Sequence, residues 1–188
     1  MVDFFLYICY TKLINYIVFK LGGEKVRILG IDPGYAIVGW GIVDFHGGRF
    51  TTVAYGAVTT PAGQEFPKRL ETIHSDLNQL IDKYKPDELS IEKLFFNTNS
   101  TTAIDVAQAR GVIVLTAEKD GLEINEYTPL QVKQSVVGYG RAEKMQVMQM
   151  TKSLLGLEKI PRPDDAADAL ALAICHAHAS RSHLLGLM

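Results

Sequence analysis

The succession of periodicities along the chain predicts an α/β domain, a five-stranded mixed sheet flanked by helices. Three observations carry that expectation. Residues 26–32, 36–44 and 49–59 read as strands joined by short connections at Pro33-Gly34 and His46-Gly47-Gly48, the spacing of an antiparallel meander. Residues 64–84 then change to a helical period, with Leu70, Ile73, Leu77, Leu80 and Ile81 on one face and Pro86 closing it. Thereafter short strands at 87–92 and 123–127 alternate with helical stretches. The order β-β-β-α-β-α-β-α means a mixed sheet covered by helices.

The sequence holds 188 residues, enough for one domain with a full core, or one domain with an appendage. Its 19 basic and 21 acidic residues leave a net charge of −2, so a nucleic-acid partner would have to be held by a local basic patch. Cys9 and Cys175 are far apart and form neither a CxxC nor a metal-finger pattern, which points to a reducing, cytoplasmic setting. Residues 4–19 are apolar and aromatic, but Lys12 and Asn15 interrupt them, and a bilayer span needs about 20 apolar residues. Asp3 replaces the basic start of a signal peptide, and no small-x-small cleavage site follows. No membrane partner is expected. Gly22-Gly23-Glu24-Lys25 could be a translated ribosome-binding site with Val26 as the true start. Residues 1–25 are therefore read as an N-terminal extension and 26–188 as the domain.

The first strand, Ile28-Leu29-Gly30-Ile31-Asp32, ends on a carboxylate before Pro33-Gly34. A carboxylate there is costly to bury unless it is paired, hydrogen-bonded or bound to a metal. An aspartate before proline can also simply close a turn on its own backbone. The next strand is glycine-rich at Gly39-Trp40-Gly41, which leaves room beside Asp32 for a ligand or another backbone. The fourth strand ends on Glu92, and a loop follows at 93–97. The helix at 100–119 is apolar nearly all round from Gly111 to Ala117, whereas a surface helix should be apolar on one face only. One side is expected to pack on the sheet and the other on a partner subunit. Helices at 129–136, 141–156 and 164–181 complete the chain, with Gly138-Tyr139-Gly140 as a hinge.

The last helix opens with Asp164-Asp165-Ala166-Ala167-Asp168-Ala169-Leu170. Asp165 and Asp168 are one turn apart and share a face, about 5–6 Å from each other. The macrodipole favours acids in a first turn and Asp164 suits an N-cap, which accounts for one or two of the three. It does not account for the alanines between them, which give the helix a small face able to lie close to the sheet. If Asp32, Glu92, Asp165 and Asp168 converge, four like charges share one pocket and need a counter-charge. Oxygen donors without a His-Cys set suit Mg²⁺ or Mn²⁺ rather than zinc. Two such ions roughly 3.5–4 Å apart would clamp an in-line phosphoryl displacement, which is phosphodiester hydrolysis without a covalent intermediate.

Taken in order, Gly30-Ile31-Asp32-Pro33-Gly34, Ile91-Glu92, Ala107-Gln108-Ala109-Arg110-Gly111, Gln131-Val132-Lys133-Gln134-Ser135-Val136-Val137-Gly138, Ala142-Glu143-Lys144 and Asp165-Ala166-Ala167-Asp168-Ala169-Leu170 resemble the RuvC family of Holliday-junction resolvases. The match runs from residue 26 to about residue 180, and the N-terminal extension departs from the family pattern. The resemblance implies a ribonuclease-H-like fold and a homodimer. It also implies Mg²⁺-dependent symmetric nicking of four-way DNA junctions in recombination and repair, with two ions per subunit, Mn²⁺ as a substitute, and work alongside a RuvA–RuvB branch-migration complex. Carried over by motif, Asp32, Glu92, Asp165 and Asp168 are the metal-binding carboxylates. Lys133 and Lys144 look like catalytic-centre or DNA-contacting lysines, and Phe95 matches an aromatic near the junction crossover.

Local charge agrees. Residues 128–152 hold Lys133, Arg141, Lys144 and Lys152 against Glu143 alone, a stripe that can hold phosphates, although it also suits a solvated helical face. Phe95-Phe96 suits base stacking from a loop or core packing. His176, His178 and His183 lack a metal spacing with any carboxylate and are expected to be structural or solvent-facing. Two readings compete. Gly-Ile-Asp-x-Gly also opens phosphate loops in actin-like ATP-binding proteins, but those need two such domains. A ribonuclease H type of RNA-directed nuclease would share the fold.

Overall fold

The computed structural model describes residues 25–94 and 100–184. Phe95, Phe96 and the extension before Lys25 lie outside the described residues. Strands β1 (Val26–Asp32), β2 (Ile37–His46) and β3 (Arg49–Thr59) are followed by helix α1 (Phe66–Tyr84) and strand β4 (Glu88–Glu92). Helix α2 (Ser100–Lys119), strand β5 (Glu123–Tyr127) and helices α3 (Pro129–Val137), α4 (Lys144–Leu154) and α5 (Asp164–Leu184) complete the order. The sheet runs β3-β2-β1-β4-β5. The β1–β2 and β2–β3 pairs are antiparallel, and the β1–β4 and β4–β5 pairs are parallel, so the sheet is mixed as expected.

Side-chain alternation divides the core into two layers. Leu29, Ile31 and Ile42 face α1 and α2 and are packed with Ile73, Leu77, Ala109 and Ile113. Ile28 and Val43 face the other way, against Leu170, Ala173 and Ile174 of α5 and Val132 and Val136 of α3. Each fully buried isoleucine or leucine in these layers contributes about 1.5–3 kcal/mol over its exposed state. Asp32 has the parity of Ile28 and Gly30, so period-2 alternation directs it to the α5 side.

Close approach of α5 depends on glycine. A Cβ on Gly30 would sit 2.0 Å from the Ala169 carbonyl oxygen, and one on Gly39 would sit 2.0 Å from that of Asp165. Ala166, Ala167 and Ala169 are at most 1% exposed, so the small face expected of this helix lies against the strands. Asp32 pairs with Gly39 across β1 and β2. The glycines and alanines therefore bring the start of α5 down beside the end of β1.

Helix α2 resolves the all-round apolar pattern. Ala109, Ile113 and Ala117, spaced at four, are fully buried, whereas Ile104 and Leu115 are each 60% exposed. One element starts later than the periodicity suggests. Residues 141–143 are outside the helix, because Glu143 is an extended N-cap whose N–H donates to the Gln146 side chain at 2.8 Å, which sets the helix start at Lys144. Among the described residues no helix is long and apolar enough to cross a membrane.

Candidate active site

Three residues on the α5 side of β4 meet three positions one turn apart on α5. Glu88 is hydrogen-bonded to His176, and the Ser90 hydroxyl donates to the Leu172 carbonyl at 2.7 Å. Glu92, next in the row, is under the charge of Asp168. Two strand residues advance about 6.6 Å and four helical residues about 6 Å, so the two rows stay in step. This ladder sets Glu92 and Asp168 together at its open end. His176 is buried and is also bonded to the Tyr127 hydroxyl at 2.6 Å, so it is structural, as expected.

The four carboxylates act on one another. Burial, then the charges of Asp168, Glu92 and Asp165, raise the Asp32 carboxyl to about 7, with Lys144 opposing the rise. Glu92 is raised by burial and by Asp168. Lys144, the first residue of α4, places Nζ 2.9 Å from Asp168 Oδ2 and 4.0 Å from Asp164 Oδ2, and its own pKa is raised chiefly by the hydrogen bond to Asp168. Asp164 is instead bound by Arg162, outside the quartet.

Glu92, Lys133, Lys144 and Asp168 line a cavity of about 280 Å³ whose other wall is Pro129, Val132, Val147, Ala171 and Leu172. Apolar walls beside a charged cluster strengthen every electrostatic interaction within it. The donor chemistry fits a hard divalent cation. The quartet offers oxygen ligands without thiolate or imidazole, and Asp32 is raised first by burial and then by the three neighbouring acids, which Lys144 only partly opposes. As placed, no three carboxylate, imidazole or thiol groups among the described residues form a closed ligand cluster. Cys175 is buried and its thiol is pushed up to about 11, which makes it a poor nucleophile at neutral pH.

Of the residues singled out in the sequence, the structure thus brings together Asp32, Glu92, Asp165, Asp168, Lys133 and Lys144. Arg141 is exposed in the turn before α4. Lys152 is in the last turn of α4, about 12 Å of helix from Lys144, and does not line the cavity. Sequence reasoning missed Ser90, the pairing of Glu88 with His176, and any role for Arg110. The spacing 88/90/92 against 168/172/176 was the available signal for the ladder. Arg110 lies on α2, and its Nε donates to the Glu92 carbonyl at 3.2 Å.

Residues 28–176 match the family model described as crossover junction endodeoxyribonuclease RuvC. The chain is 60% identical over 151 residues to a crossover junction endodeoxyribonuclease RuvC of Alkaliphilus oremlandii, covering 80% of this chain and 92% of that one. It is 57% identical over 161 residues to the same-named protein of Ruminiclostridium cellulolyticum, covering 86% and 95%. The structure of Thermus thermophilus RuvC in complex with Holliday junction substrate superposes with a TM-score of 0.80 at 32% identity, covering 85% and 97%.

Proposed function

This chain belongs to the family of crossover junction endodeoxyribonuclease RuvC, and on that premise we propose how its own residues resolve a Holliday junction. Its fold is ribonuclease-H-like, and its activity is that of an endonuclease acting on junction DNA in recombination and repair. The observation that carries the mechanism is the convergence of four acids, with Asp32 paired to Gly39 where Asp165 of α5 packs and with Glu92 and Asp168 lining one cavity.

Asp32, Glu92, Asp165 and Asp168 hold divalent cations in this reading, two Mg²⁺ per subunit with Mn²⁺ as a substitute. Asp168 is bonded to Lys144 at 2.9 Å, so that pair would have to part for Asp168 to hold a cation. The cations supply Lewis-acid activation of the phosphodiester and the positive charge that the quartet lacks. Lys133 and Lys144 draw the scissile phosphate toward the cavity and lend charge to the transition state. Val132 and Val147 keep the wall dry. Arg141 and Lys152 contact DNA further out, Phe95 is a DNA-contacting aromatic in this reading, and the domain from Val26 onward carries all of this without residues 1–25.

A junction has two strands to cut and each chain supplies one site, so a homodimer provides symmetric nicking. The outer face of α2, with Ile104 and Leu115 at 60% exposure, is the proposed dimer surface. Leu115→Glu should give monomers in light scattering with the fold retained. Ile113→Glu, at a fully buried position, should fail to fold instead. A RuvA–RuvB branch-migration complex is the proposed partner, and the cytoplasm the proposed compartment.

The direct test compares a four-way junction, a linear duplex and an RNA–DNA hybrid in Mg²⁺. Paired nicks in the junction alone are expected, and equal cleavage of the hybrid would favour an RNA-directed nuclease.

A further inference from the structure

The β1–β4 ladder ends at the Ile31–Ile91 pair. Beyond it β1 turns through Pro33, which has no N–H to offer the sheet. The Glu92 carbonyl is therefore at the point where β1 stops providing donors. Its hydrogen comes from the far side of the sheet, where Arg110 Nε on α2 donates to it at 3.2 Å. The same guanidinium reaches Glu126 of β5 with Nη2. Glu126 pairs with Ile91 and shares its face, opposite the face that carries the Glu92 carboxylate. On the β5 side the strand end is closed by the Lys93 N–H to the Tyr127 carbonyl at 2.8 Å.

We propose that Arg110 is a positioning residue for the metal site, clamping the Glu92 backbone from behind so that its carboxylate projects into the acidic quartet. The proposal rests on the metal-site reading above. A guanidinium suits the task because its planar fork can satisfy a carbonyl and a carboxylate at once and stays charged at any physiological pH. A lysine ammonium in its place would keep the charge but lose the fixed fork. Ser90, through the Leu172 carbonyl, and His176, through Glu88, tie β4 to α5 from the front. Arg110 acts from behind, at the residue where an ordinary strand bond is missing. Without it the end of β4 is held on the β5 side alone, and the Glu92 oxygens would be spread over several positions.

The test is Mn²⁺ binding to the DNA-free protein, followed by the paramagnetic resonance signal of free Mn²⁺, with thermal melting and single-turnover junction cleavage alongside. Arg110→Ala should weaken Mn²⁺ binding about tenfold and raise the Mn²⁺ needed for half-maximal cleavage by the same factor. Excess Mn²⁺ should recover most of the rate, and junction affinity in EDTA should not change. A residue that only supports the fold would lower the melting temperature without moving the Mn²⁺ dependence, and that result overturns the proposal. Should Arg110→Ala not fold, Arg110→Lys decides. It should weaken Mn²⁺ binding by roughly threefold, and wild-type affinity would overturn the proposal. Asp32→Asn separates the two layers of inference. If it binds Mn²⁺ like the wild type, the metal-site reading itself fails. If it loses Mn²⁺ while Arg110→Ala does not, only the role of Arg110 fails.

Discussion

Asp44 and Asp32 are on adjacent strands of one sheet, at its opposite ends, and their surroundings treat them in opposite ways. Asp44 on β2 is 8% exposed and accepts two hydrogen bonds from Arg27, at 2.7 and 3.0 Å, with Lys25 Nζ at 2.8 Å. Those bonds hold its carboxyl below the usual range, the Arg27 bond foremost. Arg27 is itself completed by the Tyr84 carbonyl, so the group is satisfied all round and joins β1, β2 and the end of α1. Asp32 has burial without a matching partner. Three acids face it, and Lys144, whose charge opposes theirs, is engaged with Asp168. A carboxylate with its partners built in serves the fold. One whose neighbours are more carboxylates costs the fold stability and is useful only where a cation or a phosphate chemistry makes up the charge.

The sharpest way to break this contrast is to neutralise each acid in turn. Asp32→Asn should lower single-turnover cleavage about a thousandfold or more, several kcal/mol of transition-state stabilisation. Its melting temperature in EDTA should stay level or rise, because one of four repelling charges has gone. Junction binding in EDTA should likewise hold or tighten. A folded but non-binding Asp32→Asn protein, or one destabilised as much as its Asp44 counterpart, would make Asp32 an ordinary structural residue.

Asp44→Asn should do the reverse. It leaves the Arg27 guanidinium without a charged acceptor and should cost about 2 kcal/mol of unfolding free energy in urea titration. Cleavage under saturating metal and junction should remain near the wild-type rate. A matching loss of rate with stability intact would mean that the two ends of the sheet are coupled, and the division between them would be wrong.

The two ends were unequally legible in the sequence. The site end is written in short, contiguous strings. A strand running into Asp32, a strand ending at Glu92 and acids one turn apart at Asp165 and Asp168 can each be read locally, and their convergence follows from the order of elements. Gly39 and the alanines of α5 were legible as room for close approach, which is how the structure uses them, whereas Gly30 was read only as part of its strand. Asp44 gave no such signal, since its partner Arg27 is 17 residues away in sequence and the Tyr84 carbonyl that completes Arg27 is 57 residues from that arginine. Arg110 was visible only as part of a motif, because its partners are a backbone carbonyl and a residue on another strand. The helix start at Lys144 was missed for a similar reason. A side-chain bond from Gln146 to the Glu143 N–H, rather than periodicity, decides it.

The least direct readout is the pH dependence of stability, where the two acids should differ in sign. Asp44 has a folded pKa below its unfolded value of about 3.9, so its contribution is fully present above about pH 4 and is lost as pH falls through the lower folded value. Asp32 has a folded pKa raised to about 7, so its ionisation weighs against the folded state as pH rises from about 4 through 7. Unfolding free energies in EDTA between pH 3 and 8 would show this as two difference curves. The gap between wild type and Asp44→Asn should be flat from pH 5 to 8 and narrow below about pH 4. The gap between Asp32→Asn and wild type should instead widen from about pH 4 to 7 and flatten above it, with a slope no steeper than about 1.4 kcal/mol per pH unit. Two parallel curves would mean that the carboxylates sit in equivalent environments, and the distinction between a paired acid and an acid awaiting a cation would have to be abandoned.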